Sequence, residues 1–272
     1  MIICNYNKGR LGNSIFRLFA NIIFCIVYDI NSQIVNMYHE PNIIINDEYF
    51  INLSNNIMNQ NLIQNIDKNA IILFDGYFQH DKIYIMFKNH IINFIKNHPE
   101  IILITHFNEN YKASDLVNFD ITNQYNIVVH LRLEDFIEIS HVINPNSIKK
   151  ILCEIRNEYP DEEICFVLNN PNTNLERKYI EYLTKDLNNI KIESNDVITD
   201  FTIMRKSKIL MCSCSTLSWA ASFLSETVEK VYMPNYNNPD RIHETFKQPI
   251  LNTILYDFEN CSKEKLLEIF TP

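Results

Sequence analysis

From residue 126 onward, short and nearly continuous apolar runs alternate with amphipathic segments, and this alternation restricts the fold more than any other feature. The runs are NIVVHLR (126–132), EICFVL (163–168), NIKIE (189–193), KILMCS (208–213) and EKVYM (229–233). Between them the pattern predicts helices. One starts at Pro145, after Asn144 as cap, and runs to about Asn157. The others are LERKYIEYLTKDL (175–187), a short helix over Asp200 to Ser207, and TLSWAASFL (216–224). Strands joined through helices by short loops imply a parallel sheet with right-handed crossovers. Runs without polar alternation imply that both faces of the sheet are covered. Such sheets bind ligands beyond the carboxyl ends of their strands. The ends of NIVVHLR and KILMCS are therefore the places to look for chemistry.

The first half opens in the same way. MIICNY reads as a strand and NKGRLGN as a loop. A helix follows from Ser14, with Ile15, Phe16, Phe19, Ile22, Ile23 and Ile26 at helical spacing. SQIVNMY (32–38) is a short strand, and 42–67 reads as irregular with short helices. NAIILF (69–74) is a buried strand stopped by Asp75-Gly76, and the helix over 81–98 ends before Pro99. Residues 108–125 are polar and weakly patterned. They divide the 272 residues into lobes of 1–120 and 121–272, a length that suits one large domain or two small ones.

Composition mainly excludes. The chain is 46% hydrophobic, enough for a core, and its formal charge of -9 comes without a Lys/Arg cluster, so no nucleic-acid partner is expected. The 7 cysteines are odd in number and form no CxxC pair. They read as mostly buried free thiols of a reducing compartment, and no zinc ligand set accompanies Cys212 and Cys214. No signal-peptide core and no membrane span are visible; Ile15 to Val27 is short and holds Arg17 and Asn21. The expectation is a soluble, cytoplasmic protein.

Four stretches could carry chemistry. In VVHLRLEDF (128–136), His130 and Arg132 fall on one side if the strand persists that far. An Arg at a strand's carboxyl end suits a phosphate, with Asp135 to hold it; an ordinary ion pair is the alternative. In CSCSTLSWAASFL (212–224), Ser213, Ser215, Thr216 and Ser218 sit where a strand turns into a helix. That is an anion site, or simple capping by Ser215 or Thr216. Trp219, the single tryptophan, reads as core. KGRLGNS (8–14) holds Gly9 and Gly12, two of only 3 glycines, which implies a tight turn or a close approach to a ligand. DGYFQHDK (75–82) holds Gly76 and mixes Tyr77 with Gln79, His80 and Asp81, a combination that suits sugars. GxSxG, HExxH and DxD are absent.

In this order the four stretches resemble the alpha-1,2-fucosyltransferase family (glycosyltransferase family 11). That family reads G-G-L-G-N-Q-x-F, then G-Y-F-Q-S-x-K-Y, then H-x-R-R-G-D-Y, then N-S-[ST]-F-S-W-W-x-A. Here they stand as Gly9 to Phe16, Gly76 to Lys82, His130 to Phe136, and Cys214 to Ala220. DFTIMRKSKIL (200–210) is similar to the segment that precedes the last motif. The resemblance covers about residues 1–235. It implies an α/β fold of the GT-B type: two Rossmann-like lobes with parallel sheets and a cleft between them, the first facing the acceptor and the second holding a GDP-sugar. It implies no metal, no other cofactor, and inversion at the anomeric carbon. Fucose transfer from GDP-fucose to a glycan hydroxyl is the leading function. Another deoxysugar nucleotide, or a relative that binds nucleotide-sugars or glycans without catalysis, are the alternatives.

Carried over by position, His130 and Asp200 would lie near the nucleotide, Arg132 would grip the diphosphate, and Ser215, Thr216 and Ser218 would complete that grip. Gly12 and Asn13 would face it from the first lobe, and Tyr77 and Gln79 would bind substrate. Glu138 is the candidate general base by its proximity in the chain, with His141 and Asp81 as rivals. The sequence departs from the family at Leu133 (Arg), Glu134 (Gly), Cys214 (Asn), Ala220 (Trp) and Leu168-Asn169-Asn170 (S-D-D).

Overall fold

The computed structural model describes residues 2–5, 9–30, 33–35, 40–61, 65–67, 69–235 and 248–271. The expectations for Met1, for 6–8, for Ser32 and for 36–38 lie outside the described residues. The described chain forms two compact units, Met1–Phe119 and Asp120–Tyr236 with Lys247–Pro272.

In the first unit the order is β1 (Ile2–Asn5), α1 (Leu11–Val27), β2 (Gln33–Val35), β3 (Ile43–Ile45), α2 (Asp47–Met58), β4 (Ile71–Phe74) and α3 (Asp81–Asn97). A small antiparallel pair, β5 (Ile102–Ile104) and β6 (Asn110–Lys112), and the one-turn α4 (Asp115–Asn118) close it. The four-stranded sheet has the order β2-β1-β4-β3, all parallel. Helix α1 is buried from Leu11 to Cys25 at every position except Asn13. A helix that is apolar nearly all round is a core helix. It starts at Leu11, so Gly12 and Asn13 belong to its first turn and not to the preceding loop. The 42–67 stretch is more regular than expected. Asn46 caps α2 by accepting the Tyr49 N–H at 2.9 Å, and Asp47 and Glu48 favour the positive helix end.

The second unit runs β7 (Ile127–His130), α5 (Glu134–Glu138), β8 (Val142–Ile143), α6 (Pro145–Glu158), β9 (Ile164–Val167), α7 (Asn174–Thr184), β10 (Ile190–Glu193), α8 (Val197–Lys206), β11 (Ile209–Met211), α9 (Thr216–Leu224) and β12 (Lys230–Pro234). Strand β13 (Thr253–Tyr256), β14 (Asn260–Cys261), which pairs with β8, and α10 (Lys263–Phe270) follow. Six strands form one parallel sheet in the order β10-β9-β7-β11-β12-β13. The α/β architecture with parallel sheets is therefore as expected. Asn144 caps α6 ahead of Pro145, and Thr173 with Glu176 makes a reciprocal capping box on α7. Strands β7 and β9 are buried at every position. Trp219 is fully buried and stacks on Phe223, ring centroids 5.0 Å apart.

Two further sequence expectations change. Strand β7 stops at His130, so strand alternation does not carry to Arg132. Helix α8 starts at Val197 under an Asp196 cap, and Asp200 lies inside its first turn. The described cysteines are free thiols. Cys25, Cys165, Cys212 and Cys261 are buried, whereas Cys214 is half-buried and Cys153 is exposed. No helix among the described residues is long and apolar enough to cross a membrane.

Candidate functional site

The chain of the second unit builds outward from β7 through β9 to β10, then returns to the other side of β7 with β11, β12 and β13. The direction of winding reverses between β7 and β11. At such a switch point the two crossovers leave in opposite directions and a crevice opens beyond the carboxyl ends. His130 ends β7, and Ser213 follows β11 by two residues. Their side chains meet across the switch point, Ser213 Oγ to His130 Nδ1 at 2.8 Å, in a buried bond between residues 83 apart in the chain. Burial, aided by the Arg132 charge, pushes the His130 basicity down to about 3, so the imidazole is neutral at physiological pH. His130 is only 6% exposed. Its second ring nitrogen, Nε2, has no partner among the described residues.

Arg132 lies just past the strand end. Its Nη2 reaches Asp135 at 2.8 Å (Oδ1) and 3.1 Å (Oδ2), and its guanidinium lies over the Phe136 ring at 5.5 Å. The ion pair and the ring hold the cation at the mouth of the crevice. Leu133, where the family has a second Arg, is buried in the hydrophobic core with Ile137 and Leu131. Glu134, where the family has Gly, takes a left-handed φ of 24°. Its N–H donates to Glu176 Oε1 at 3.2 Å, and its own Oε1 accepts from the Asn169 amide at 2.6 Å. The departures at 134 and 169 thus touch each other. An Asp at 169 would place two carboxylates together, whereas Asn169 supplies a donor.

Helix α9 brings its N-terminus to the same edge. The Ser215 N–H donates to the Ser213 carbonyl at 2.7 Å, which tightens the turn, and Ser215 Oγ caps the Leu217 N–H at 3.3 Å. Thr216 is the first helical residue. Ser218 is fully buried, and its hydroxyl donates to the Ser215 carbonyl at 3.1 Å, so it braces the turn from below. On the other flank of β7, Asp200 accepts from the Asn195 N–H and Nδ2, both at 3.1 Å. Burial raises its pKa to about 6 against the pull of those bonds. Glu138 is exposed and accepts from Lys263 Nζ at 3.0 Å, with no bond to His130 or Arg132 among the described residues. His141 is exposed and its N–H bonds the Phe136 carbonyl at 2.8 Å.

The first unit has its own reversal, between β1 and β4. There the Gln79 amide donates to Asn13 Oδ1 at 3.2 Å, joining two of the sequence motifs across 66 residues. Asp47, at the start of α2, accepts the N–H groups of Tyr77 (3.1 Å) and Phe78 (2.6 Å). A Cβ at Gly76 would stand 2.8 Å from the Asp47 carboxylate, so that glycine is needed for space. Gly9 is needed for its φ of 77°, and a Cβ there would also strike the Asn13 amide. Phe78 is held at φ 53° although buried. Tyr77 is exposed, Gln79 and Asp81 are buried, and Gly12 is buried within α1. Buried Arg17 donates to Ser14 Oγ at 3.0 Å. Burial lowers its basicity to about 10, opposed by Tyr77, Asp75 and Asp47, so it remains a cation.

Sequence reasoning missed Asp47, Arg17 and the Ser213–His130 bond. Asp47 and Ser213 act on partners 30 and 83 residues away, and no local pattern marks such pairs. Among the described residues no group of three or more His, Cys, Asp or Glu could hold a metal ion.

No family model and no curated protein matches the chain. Solved structures do. E. coli heptosyltransferase WaaC with ADP aligns over 98% of this chain and 95% of that one, at 8% identity and TM-score 0.47. A variant of Arabidopsis thaliana FUT1 in complex with GDP aligns over 85% and 69%, at 8% identity and TM-score 0.42. S. aureus MnaA with UDP aligns over 98% and 86%, at 10% identity and TM-score 0.42. At this level the likenesses carry no weight for function, which has to be argued from the chain's own residues.

Proposed function

We propose that the chain is an inverting, metal-independent glycosyltransferase of the GT-B type that takes its sugar from a nucleotide, with GDP-fucose as donor and a glycan hydroxyl as acceptor. The observation that carries this reading is the switch point between β7 and β11. There the buried, neutral His130, the anchored Arg132 and the N-terminus of α9 converge at one sheet edge. That set is built for a diphosphate: a fixed guanidinium, a neutral donor and a positive helix end. The choice of GDP and fucose rests on the sequence motifs. Residues 121–272 hold the donor, with Asp200 toward the nucleoside, and residues 1–120 present the acceptor through Tyr77 and Gln79.

In the reaction the acceptor oxygen attacks the anomeric carbon from the face opposite the diphosphate. The carbon–oxygen bond to phosphate breaks with its electron pair staying on the phosphate, and the configuration inverts. Negative charge then grows on the departing nucleotide. Arg132 and the α9 amides are already in place to receive it, so they stabilise the transition state without reorganising. Asp135 and Phe136 keep Arg132 from swinging away. The acceptor's proton goes to a carboxylate or imidazole. Glu138 is engaged at the surface of its unit by Lys263, and its rival Asp81 is buried in the first unit next to the motif of Tyr77 and Gln79.

A thermal-shift screen of the full chain against GDP-, UDP- and ADP-sugars tests the reading, because a ligand of the folded state raises the melting temperature by mass action. GDP-fucose is expected to give the largest shift, unchanged by EDTA, and turnover on a glycan acceptor is expected to survive EDTA as well. Silence toward every sugar nucleotide would sink the proposal, and a shift without turnover would leave a binding module.

A further inference from the structure

We propose that Ser213 is a positioning residue that fixes His130 as the tautomer protonated on Nε2. The imidazole then meets the nucleoside diphosphate as an uncharged hydrogen-bond donor and not as a proton acceptor. The role of the ligand rests on the function proposed above; the tautomer does not.

The argument turns on one proton. Ser213 is 4% exposed, and its hydroxyl has a single partner among the described residues, His130 Nδ1. If Nδ1 carried the hydrogen, the serine oxygen would accept and the serine proton would be buried without an acceptor. If the serine donates, its proton is used, a lone pair goes unfilled, and the ring hydrogen on Nε2, which is not among the buried unmatched atoms, faces the crevice where solvent or ligand can accept it. An unmatched buried donor costs more than an under-used acceptor. Ser213 therefore donates, Nδ1 accepts, and the ring hydrogen of a neutral imidazole must sit on Nε2. Burial and the Arg132 charge keep His130 neutral, so there is a single ring hydrogen to place.

The geometry that holds Ser213 is itself rigid. Cys212 N–H bonds the Tyr232 carbonyl at 2.8 Å, and the Tyr256 hydroxyl bonds the Cys212 carbonyl at 2.7 Å. The Ser213 carbonyl receives the Ser215 N–H. The hydroxyl is thus placed by the strands on one side of the switch point and read by the strand on the other. Nε2, which has no partner among the described residues, is left to the crevice. A donor there matches a phosphate oxygen, which only accepts.

The test uses the full chain. Imidazole 15N resonances of the wild type are expected to show a neutral His130 with hydrogen on Nε2 and an accepting Nδ1 at pH 7.5. In Ser213→Ala the Nδ1 resonance is expected to move toward the tautomer average, and GDP affinity measured by calorimetry to fall about tenfold, the scale of one hydrogen bond. Ser213→Thr, which keeps the hydroxyl, should restore the resonance and return affinity to within about threefold of wild type. A wild-type ring protonated on Nδ1 overturns the proposal, and so does a Ser213→Ala variant with unchanged resonance and affinity. If Ser213→Ala does not fold, the wild-type spectrum and Ser213→Thr decide. If the wild type binds no GDP, the nucleotide reading fails, while the resonances still judge Ser213.

Discussion

Arg132 finds Asp135 only three residues on, with the Phe136 ring beneath it, so the short helix that follows it helps to position the cation. Arg132→Ala should therefore fold normally, abolish turnover and weaken GDP by at least about 1.5 kcal/mol, the worth of a charged hydrogen bond. Calorimetric titration and an initial-rate assay check this, and full activity in the variant would end the diphosphate role. Asp200 gives a second prediction. Its folded pKa is about 6, against about 3.9 for a free Asp. The folded state thus holds an extra proton between about pH 4 and 6, and stability falls as pH rises through that window. Asp200→Asn keeps an acceptor for Asn195 and removes the penalty. The variant should be more stable than wild type at pH 7.5 by on the order of 1–2 kcal/mol, with no gain at pH 3.5. Urea melts at the two pH values decide it; a pH-independent difference would show that Asp200 is not strained by burial. At this scale the sequence announced His130, Arg132, Asp135 and the hydroxyl cluster, because strand ends and helix starts are local signals. It could not announce Ser213 as the partner of His130, because that pairing exists only once β11 has been laid beside β7.

Among the elements, the turn after β4 shows why some motif letters are structural. Gly76 yields space to the Asp47 carboxylate, which takes the N–H groups of Tyr77 and Phe78 and holds Phe78 in a left-handed conformation. Strain of that kind persists only where several contacts impose it. Here the Phe50 and Phe74 rings, both 5.5 Å from Phe78, supply the rest. Asp47→Ala is expected to cost about 2–4 kcal/mol, because two amides lose a charged acceptor at once. It should also release Gln79 from Asn13. Chemical denaturation reads the first effect, and a loss smaller than about 0.5 kcal/mol would show that the turn holds itself, as ordinary surface substitutions do. Helices with local punctuation, such as α6 with its Asn144-Pro145 start, are visible in the sequence. Helix α2 is not, because its capping Asn46 sits in a run of many asparagines and its apolar face is sparse. The end of β7 was misjudged for the opposite reason. Leu131 continues the apolar run, and its N–H still bonds the Val167 carbonyl at 2.9 Å, yet the chain has already left the strand.

For the whole molecule, each of the two units has its own parallel sheet and its own reversal of strand order, so each can be tested separately for what it binds. Hydrogen exchange with saturating GDP is expected to slow amides in Leu131–Phe136 and Ser213–Ser218, the segments that border the β7–β11 crevice. Protection confined to residues 9–13 and 76–80 would move the nucleotide to the other unit and reverse the assignment of roles. The sequence carried the architecture of the second unit well, since buried parallel strands are continuous apolar runs. It carried the first unit less well, because the turn after β4 and the link between its two motifs hang on long-range bonds made by Asp47, Asn13 and Gln79. The depressed basicity of His130 has a further consequence. A pH of 7.5 lies more than four units above the value for His130 and more than one unit above that for Asp200. At that pH the crevice therefore presents a neutral imidazole and an ionised carboxylate. Proton uptake on binding, beyond the ligand's own, would then report a shift in one of these two groups.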